Sequence, residues 1–317
     1  MKRSALSRRA LHVGAVLAVS ALALAGCSAP RTADDGVLRI VTSTNVYGSI
    51  AHAIAGDHAE ITSIIDNLAQ DPHSYEATAR DRLAVSKADL VVGNGGGYDP
   101  FLETLVTASP SANRVVIDAV KASGLEVDEN TVDRYASFNE HVWYSIDGMR
   151  RLAAHIAQDL SDLEPQKATV FGDNLETFDR GLDALASKTA GIRSQFEGTG
   201  VAVTEPVPGY LIYDAGLYDY TPGFAEAIED GTDVPPLELQ QVLSFIKYHQ
   251  VKLLVVNKQT TGPQIDQVVG AAKEAGLPIV EVTETLPADT DYLSWMGDTI
   301  SALETALEAA AQSVAGT

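Results

Sequence analysis

The chain of 317 residues holds a single cysteine, Cys27, so no disulfide can form within it and the fold must rest on a packed core. Basic residues are scarce as well, with 22 Lys and Arg against 43 Asp and Glu. Lys2, Arg3, Arg8 and Arg9 are the only charges in residues 1–26, so the rest of the chain carries −25, against −21 for the whole. A surface of that sign repels phosphate and argues against nucleic acid as a partner, while it favours solubility. Beyond Cys27 no run reaches the roughly 20 apolar residues of a membrane-spanning helix. Hydrolase signatures are missing too. There is no His-Glu-x-x-His pair, no Gly-x-Ser-x-Gly elbow and no clear base beside an open coordination position, which makes a metallohydrolase the least favoured function.

What is present begins with a leader. The basic residues at the start precede an apolar run from Val13 to Ala25, the pattern of an export signal over residues 1–26 and too short to span a bilayer. The run ends in Leu24-Ala25-Gly26-Cys27, which is similar to a bacterial lipobox and implies cleavage before Cys27 and a lipid on its thiol. Ser7-Arg8-Arg9 leaves twin-arginine export open beside the general route. Residues 27–36, with Pro30, Asp34, Asp35 and Gly36, have no apolar period and are expected to tether a folded domain to its anchor.

About 290 residues follow the leader, enough for two lobes. Val37–Val41, Ile61–Ile65, Leu90–Val92 and Val115–Ile117 are short aliphatic runs separated by helical spacing or loops, which predicts a parallel α/β lobe over residues 37–163. Val201–Thr204, Leu253–Val256 and Ile279–Val282 repeat the pattern over residues 198–317, with helices expected at Leu237–His249 and Gln264–Ala275. Between them Phe171, Leu175, Phe178, Leu182, Leu185, Ile192 and Phe196 recur in steps of four and three, interrupted by Thr189. Starting at Pro165, this stripe predicts one linking helix of about 48 Å within residues 164–197, in preference to a dimeric coiled coil. The fold class is therefore α/β, two similar (β/α) lobes joined by one long rigid helix, and the protein is expected to be a monomer.

Four potential metal ligands lie far apart in the sequence: His73, His141, Glu205 and Glu284. Three of them follow the ends of strand-like runs, which is how a cleft between two lobes acquires its side chains. Imidazole and carboxylate together suit a divalent transition ion. His73 sits in Asp71-Pro72-His73-Ser74-Tyr75-Glu76, where Asp71 and Glu76 are the near acceptors for its second ring nitrogen. His141 sits in Asn139-Glu140-His141-Val142-Trp143 and opens onto a helix over residues 146–160. His52, His58, His155 and His249 have no comparable surroundings.

Asp-Pro-His, then His-Val-Trp some seventy residues later, then a long linking helix: this ordered set resembles the cluster A-I solute-binding lipoproteins of zinc and manganese ABC importers, over nearly the whole chain from Val37 onward. The resemblance implies a metal site in the cleft, built from His73, His141, Glu205 and Glu284, with Zn²⁺ or Mn²⁺ as the transported ligand and a membrane ABC permease as partner. It implies an extracytoplasmic, lipid-anchored protein that is not an enzyme. Glu205 stands where His is frequent in zinc importers and Glu in manganese ones, and Glu284 where Asp is usual. Asn139-Glu140 replaces a more familiar Asp-Pro, which makes Glu140 a rival carboxylate, and Glu281 is a rival for the last position. Asn257 is expected behind the ligands, and the histidine-rich loop of many zinc-specific members is missing between residues 121 and 140. Binding of haem or a siderophore, or cell adhesion, on the same scaffold is the alternative. The Pro- and Gly-rich segment 205–222 is expected to form a mobile flap over the metal, and uptake to weaken below pH of about 6.5, where an ordinary histidine takes up a proton.

Overall fold

Short β-branched runs alternating with amphipathic segments fold into parallel strands with helical crossovers, because a parallel pair needs a connection long enough to return the chain. The computed structural model describes residues 37–125 and 138–315. The leader expected in residues 1–26, the tether 27–36 and Cys27 lie outside the described residues. The strands β1 (Leu38–Thr44), β2 (Ala59–Ile65), β3 (Leu90–Gly93) and β4 (Val115–Asp118) form one sheet in the order β2-β1-β3-β4, every pair parallel. Ile40 pairs with Ile61 on one side and with Leu90 on the other. β3 is buried along its whole length, as a strand covered on both faces must be.

The second lobe repeats this winding. β5 (Gly200–Val203), β6 (Tyr218–Asp219), β7 (Leu254–Asn257) and β8 (Ile279–Val282) are parallel in the order β6-β5-β7-β8. In each sheet the strand order reverses once, between β1 and β3 and between β5 and β7. Loops leaving the carboxyl ends of strands at such a point diverge and open a crevice.

The first lobe is covered by α1 (Asn45–Ala55), α2 (Ala79–Lys87), α3 (Pro100–Ala108), α4 (Ala119–Ser123) and α5 (Ile146–Leu163). Side-chain caps close the N-termini of α2, α4 and α5. Thr78 and Asp81 form a reciprocal capping box on α2, and the Ser145 hydroxyl accepts from Gly148 N at the start of α5. The linking helix α6 (Ala168–Phe196) follows a 3₁₀ turn at Pro165–Lys167. Of the apolar stripe, Phe171, Phe178, Leu182, Leu185 and Ile192 are buried, and Thr189 joins them because its hydroxyl donates to the Leu185 carbonyl at 3.0 Å. The second lobe adds α7 (Gly209–Asp214), α8 (Pro222–Glu229), α9 (Pro236–Lys247), α10 (Pro263–Glu274) and α11 (Tyr292–Ala315). Among the described residues no helix is long and apolar enough to cross a membrane.

The two lobes share one hydrophobic cluster, which runs from Ile40 and Leu90 through Phe178 and Leu182 of α6 to Val203, Val255 and Met296. Hydrogen bonds lock the same joint. Asn45 Nδ2 donates to the Leu286 carbonyl and its Oδ1 accepts from Leu286 N, both at 2.9 Å. Tyr144 and Tyr292 hydroxyls donate across it to the carbonyls of Thr283 and Trp143, each at 2.8 Å. Buried bonds of this kind resist separation, since opening the joint would expose both apolar surface and unpaired carbonyls.

Segment 205–222 does not form the flap expected of it. It folds into α7 and β6, with Tyr210, Leu211, Ile212, Ala215 and Leu217 buried in the core. Arg193 of α6 fastens it by donating to the carbonyls of Asp214 at 2.9 Å and Tyr213 at 2.7 Å. Its prolines start helices instead of breaking structure: Pro208 caps α7, and Pro222 is the first residue of α8, where a missing N–H costs nothing.

Candidate metal site

The crevice receives one loop from nearly every strand end. His73 comes from the loop after β2, where Asp71 accepts from His73 N at 2.9 Å and from Ser74 Oγ at 2.7 Å. Asp71 therefore shapes the turn and does not hold the ring, and the ring packs edge-on to Tyr98 with centroids 5.0 Å apart. Tyr98 is presented by the loop after β3, in which Gly95, Gly96 and Gly97 all have positive φ, 76°, 65° and 101°. A side chain at Gly95 would strike the Asp118 carboxylate at 2.5 Å as well as strain the backbone.

His141 lies just before α5 with its side chain 1 % exposed. Asn139 Oδ1 accepts from His141 N at 3.0 Å and lies 2.8 Å from Nδ1. An amide oxygen can only accept, so the proton of a neutral ring sits on Nδ1 and the Nε2 lone pair points into the crevice. Nε2 is buried and finds no hydrogen-bond partner among the described residues. The same asparagine reaches the other lobe, donating to the Pro206 carbonyl at 2.8 Å.

The second lobe supplies carboxylates. Glu205 follows β5, Glu284 follows β8, and both are buried. Asn257, at the end of β7, donates from Nδ2 to Glu284 Oε1 at 2.7 Å and to Glu205 Oε2. It thus gathers the two carboxylates. Tyr98 donates to the other Glu284 oxygen at 3.1 Å, and Gln259 Oε1 accepts from the backbone N–H groups of Glu284 and Thr285 at 2.7 and 3.1 Å. His73, Glu205 and Glu284 line a common cavity of about 330 Å³. A larger cavity of about 550 Å³ beside α7 and α8 contains no imidazole in its lining.

Of the rivals, Glu140 is brought to the site and Glu281 is not. Glu140 Oε1 lies 3.2 Å from His73 Nε2. Glu281 is exposed on β8 and paired with Lys258 Nζ at 2.9 Å. Sequence reasoning missed Glu229, the last residue of α8, whose Oε1 stands 3.3 Å from His73 Nε2 and 3.5 Å from His141 Nε2. One signal was there: Glu229 and Asp230 place two acids at a helix C-terminus, where the macrodipole disfavours them.

These contacts separate the protonation states. The hydrogen bond to Glu229 lifts His73 to about 9 despite its partial burial, aided by the charge of Glu140. Burial drops His141 to about 4 and lifts Glu140 and Glu205 each to about 7. Burial likewise raises Glu284. Burial pushes Glu229 up, but the hydrogen bond to His73 and the charges of both imidazoles outweigh it and leave Glu229 below the ordinary value. Neutral imidazole, bare Nε2 and crowded carboxylates form a site that is costly without a cation and satisfied by one.

Comparison with known proteins places this geometry in a lineage. The ZnuA family, described as zinc-uptake complex component A periplasmic, matches residues 40–306. The manganese-binding lipoprotein MntA of Halalkalibacterium halodurans is 31 % identical over 173 residues, 54 % of this chain and 55 % of that protein, so the chain spans about half the length of that relative. The iron ABC transporter substrate-binding lipoprotein MtsA of Streptococcus pyogenes is 24 % identical over 315 residues, 93 % of this chain and 97 % of that one. The periplasmic zinc-binding protein TroA from Treponema pallidum has the same fold, with a TM-score of 0.71, 19 % identity and 86 % of this chain covering 99 % of that one.

Proposed function

The chain belongs to the ZnuA family, and from that premise we propose that it captures a divalent transition metal, zinc or manganese, outside the cytoplasm and delivers it to a membrane ABC permease. It does so as a monomer tethered through a lipid on Cys27. The proposed ligands are His73, His141, Glu205 and Glu284, two from each lobe, with Asn257 orienting both carboxylates. The observation that carries this reading is the buried His141 Nε2, which lacks a hydrogen-bond partner among the described residues and lies 3.5 Å from a carboxylate oxygen of Glu229. A buried polar atom left unpaired is costly, and a metal ion is the partner that a neutral imidazole and ionised carboxylates would share.

The relatives named above are described by the metals they bind, manganese, iron or zinc, which supports a first-row ion without choosing among them. Glu205 in place of a histidine makes the donor set harder and favours Mn²⁺. Raw affinity follows the opposite order, since Zn²⁺ outranks Mn²⁺ at almost any such site. Haem and siderophores fit less well, because carboxylates crowd the cavity and would repel anionic groups. Adhesion has no feature of the site in its favour. The reading is of a carrier: each group is used to hold an ion, and none is placed as a base for an attacking water.

Equilibrium dialysis with elemental analysis tests it. The protein should retain one first-row divalent ion per chain, and Glu205→Ala and Glu284→Ala should each weaken retention. Absence of stoichiometric binding, or two variants indistinguishable from the parent, would sink the assignment.

A further inference from the structure

Glu229 has no role in the ligand set proposed above, yet its carboxylate lies within 3.5 Å of both imidazoles. It ends α8, where a negative charge opposes the helix dipole, and its side chain is only 17 % exposed. A position that disfavours an anion twice over, by burial and by dipole, needs a compensating cation. The Oε1 of Glu229 faces ring nitrogens of both His73 and His141, and because Nδ1 of His141 is taken up by Asn139 Oδ1, the other ring nitrogen is left bare toward Glu229.

The separations carry the point further. Around an ion with bonds of about 2.0–2.1 Å, two donors at tetrahedral angles stand about 3.3 Å apart, and at right angles about 2.9 Å. Glu229 Oε1 is 3.3 Å from His73 Nε2 and 3.5 Å from His141 Nε2. The second distance is too long for a good hydrogen bond and near the spacing of two ligands on one ion. Donor atoms of His73, Glu140 and Glu229 all fall within 4.8 Å of one another. The Nε2 of His141, fully buried and without a hydrogen-bond partner among the described residues, approaches that group through Glu229, at 3.5 Å from its Oε1.

We infer that Glu229 is itself a metal ligand, so that the loaded site draws on five side chains, His73, His141, Glu205, Glu229 and Glu284. This rests on the capture function proposed above and deepens it, because a fifth donor selects for an ion that accepts more than four ligands. Zn²⁺ in closed sites is almost always four-coordinate, whereas Mn²⁺ takes five or six ligands readily and prefers oxygen. The helix that carries Glu229 becomes a specificity element, acting on the ratio of manganese to zinc affinity more than on either alone.

The test uses the purified protein and its Glu229→Gln variant, titrated with Mn²⁺ and with Zn²⁺, and the absorption spectrum of each with Co²⁺ bound. Since removing a group that merely supports a ligand costs up to about 100-fold in affinity, loss of a direct ligand should cost Mn²⁺ binding at least that much, and Zn²⁺ binding about tenfold. The d–d bands of Co²⁺ should be weak in the parent, as for five or six ligands, and should intensify in the variant as the coordination number falls. Unchanged or tighter Mn²⁺ binding by Glu229→Gln would overturn the inference and mark Glu229 as a placeholder between the imidazoles. Should the variant fail to fold, the parent's Co²⁺ spectrum decides alone, because intense four-coordinate bands are incompatible with five ligating side chains. A parent that binds none of these ions would instead defeat the capture function, and this inference with it.

Discussion

The rim and the floor of the crevice use the same two side-chain types to opposite ends. At the rim, His73 and Glu140 are 35 % and 19 % exposed, and His73 carries a proton, lifted to about 9 by its hydrogen bond to Glu229. At the floor, His141, Glu205 and Glu284 are buried, and burial drops His141 to about 4 while raising both carboxyls. The rim is thus satisfied without metal, by ion pairs that water can also reach. The floor is not: it holds a bare imidazole nitrogen and carboxyls gathered by one asparagine. A metal gains most of its binding energy where the protein has desolvated the donors in advance, and the rim then decides which protons must leave.

The largest expected effect separates the two histidines. His141→Ala should abolish tight binding, by more than about 1,000-fold, since it removes a direct and preoriented donor where loss of a supporting group already costs up to about 100-fold. His73→Ala should cost less, about 100-fold, because Glu140 and Glu229 remain at the rim. Isothermal titration with Mn²⁺ and Zn²⁺ reads both. Equal losses, or a greater loss at His73, would erase the distinction between rim and floor.

Acidity gives the next effect, and its sign differs with and without metal. Binding must expel the His73 proton, held up to about 9, so affinity should rise with pH well beyond the ordinary histidine value of 6.5. One proton exchanged gives about tenfold per pH unit above 7, and the slope should steepen between pH 5 and 7 where Glu140 and Glu205 also lose theirs. Metal-free stability should move the other way. The raised value of His73 contributes stability that is complete below 6.5 and lost as pH rises through about 9. Glu140 and Glu205, raised from 4.5 to about 7, likewise stabilise the fold while protonated and cease to once ionised. His141, lowered to about 4, opposes them only at the acid end, where the unfolded chain takes up a proton from 6.5 downward and the folded ring not until about 4, so stability falls across that interval. Between pH 6.5 and 9 the denaturation midpoint should fall for the metal-free protein and rise for the loaded one. Parallel curves would show that the rim proton is not in competition with the ion.

How much of this could be read from residues alone depends on how locally each feature is encoded. The strands are legible because β-branched runs such as the buried Val91-Val92 and the partly buried Val255-Val256 have few other uses. The long helix is legible because its stripe persists through Thr189, whose hydroxyl bonds within the helix. His73, His141, Glu205 and Glu284 stand out because each lies in a loop beside a strand end or helix start. Glu229 does not, since its one local signal, a pair of acids at a helix C-terminus, points to no particular partner, and only the crossover from β6 through α8 carries it to the imidazoles. Tyr98 is hidden in a glycine-rich loop for the same reason. The short helix α7 was concealed by Pro206, Pro208 and Gly209, residues that break a helix inside but favour its first turn. Gly209 in addition has no room for a side chain, since a Cβ there would stand 2.6 Å from Asn139 Nδ2.

The smallest effect probes whether the floor depends on the joint between lobes while the rim does not. Two glycines of α6 look alike in sequence, and each lowers helix propensity by about 1 kcal/mol against alanine. A Cβ at Gly181 would meet Leu293 Cδ1 of α11 at 2.4 Å, whereas one at Gly191 meets nothing within 4 Å. Gly191→Ala should therefore stabilise by up to about 1 kcal/mol and leave metal binding unchanged. Gly181→Ala should destabilise by about 1–3 kcal/mol as α11 is pushed from α6. Because α11 begins just after the Glu284 loop, that displacement should loosen the floor and weaken binding by less than about tenfold, far below the loss of any ligand. The pH slope above 7 should not change, as His73 belongs to the loop after β2 and to neither helix. Denaturant midpoints and Mn²⁺ titrations of the two variants measure this directly, and a Gly181→Ala protein with altered proton release but intact affinity would invert the assignment of joint to floor.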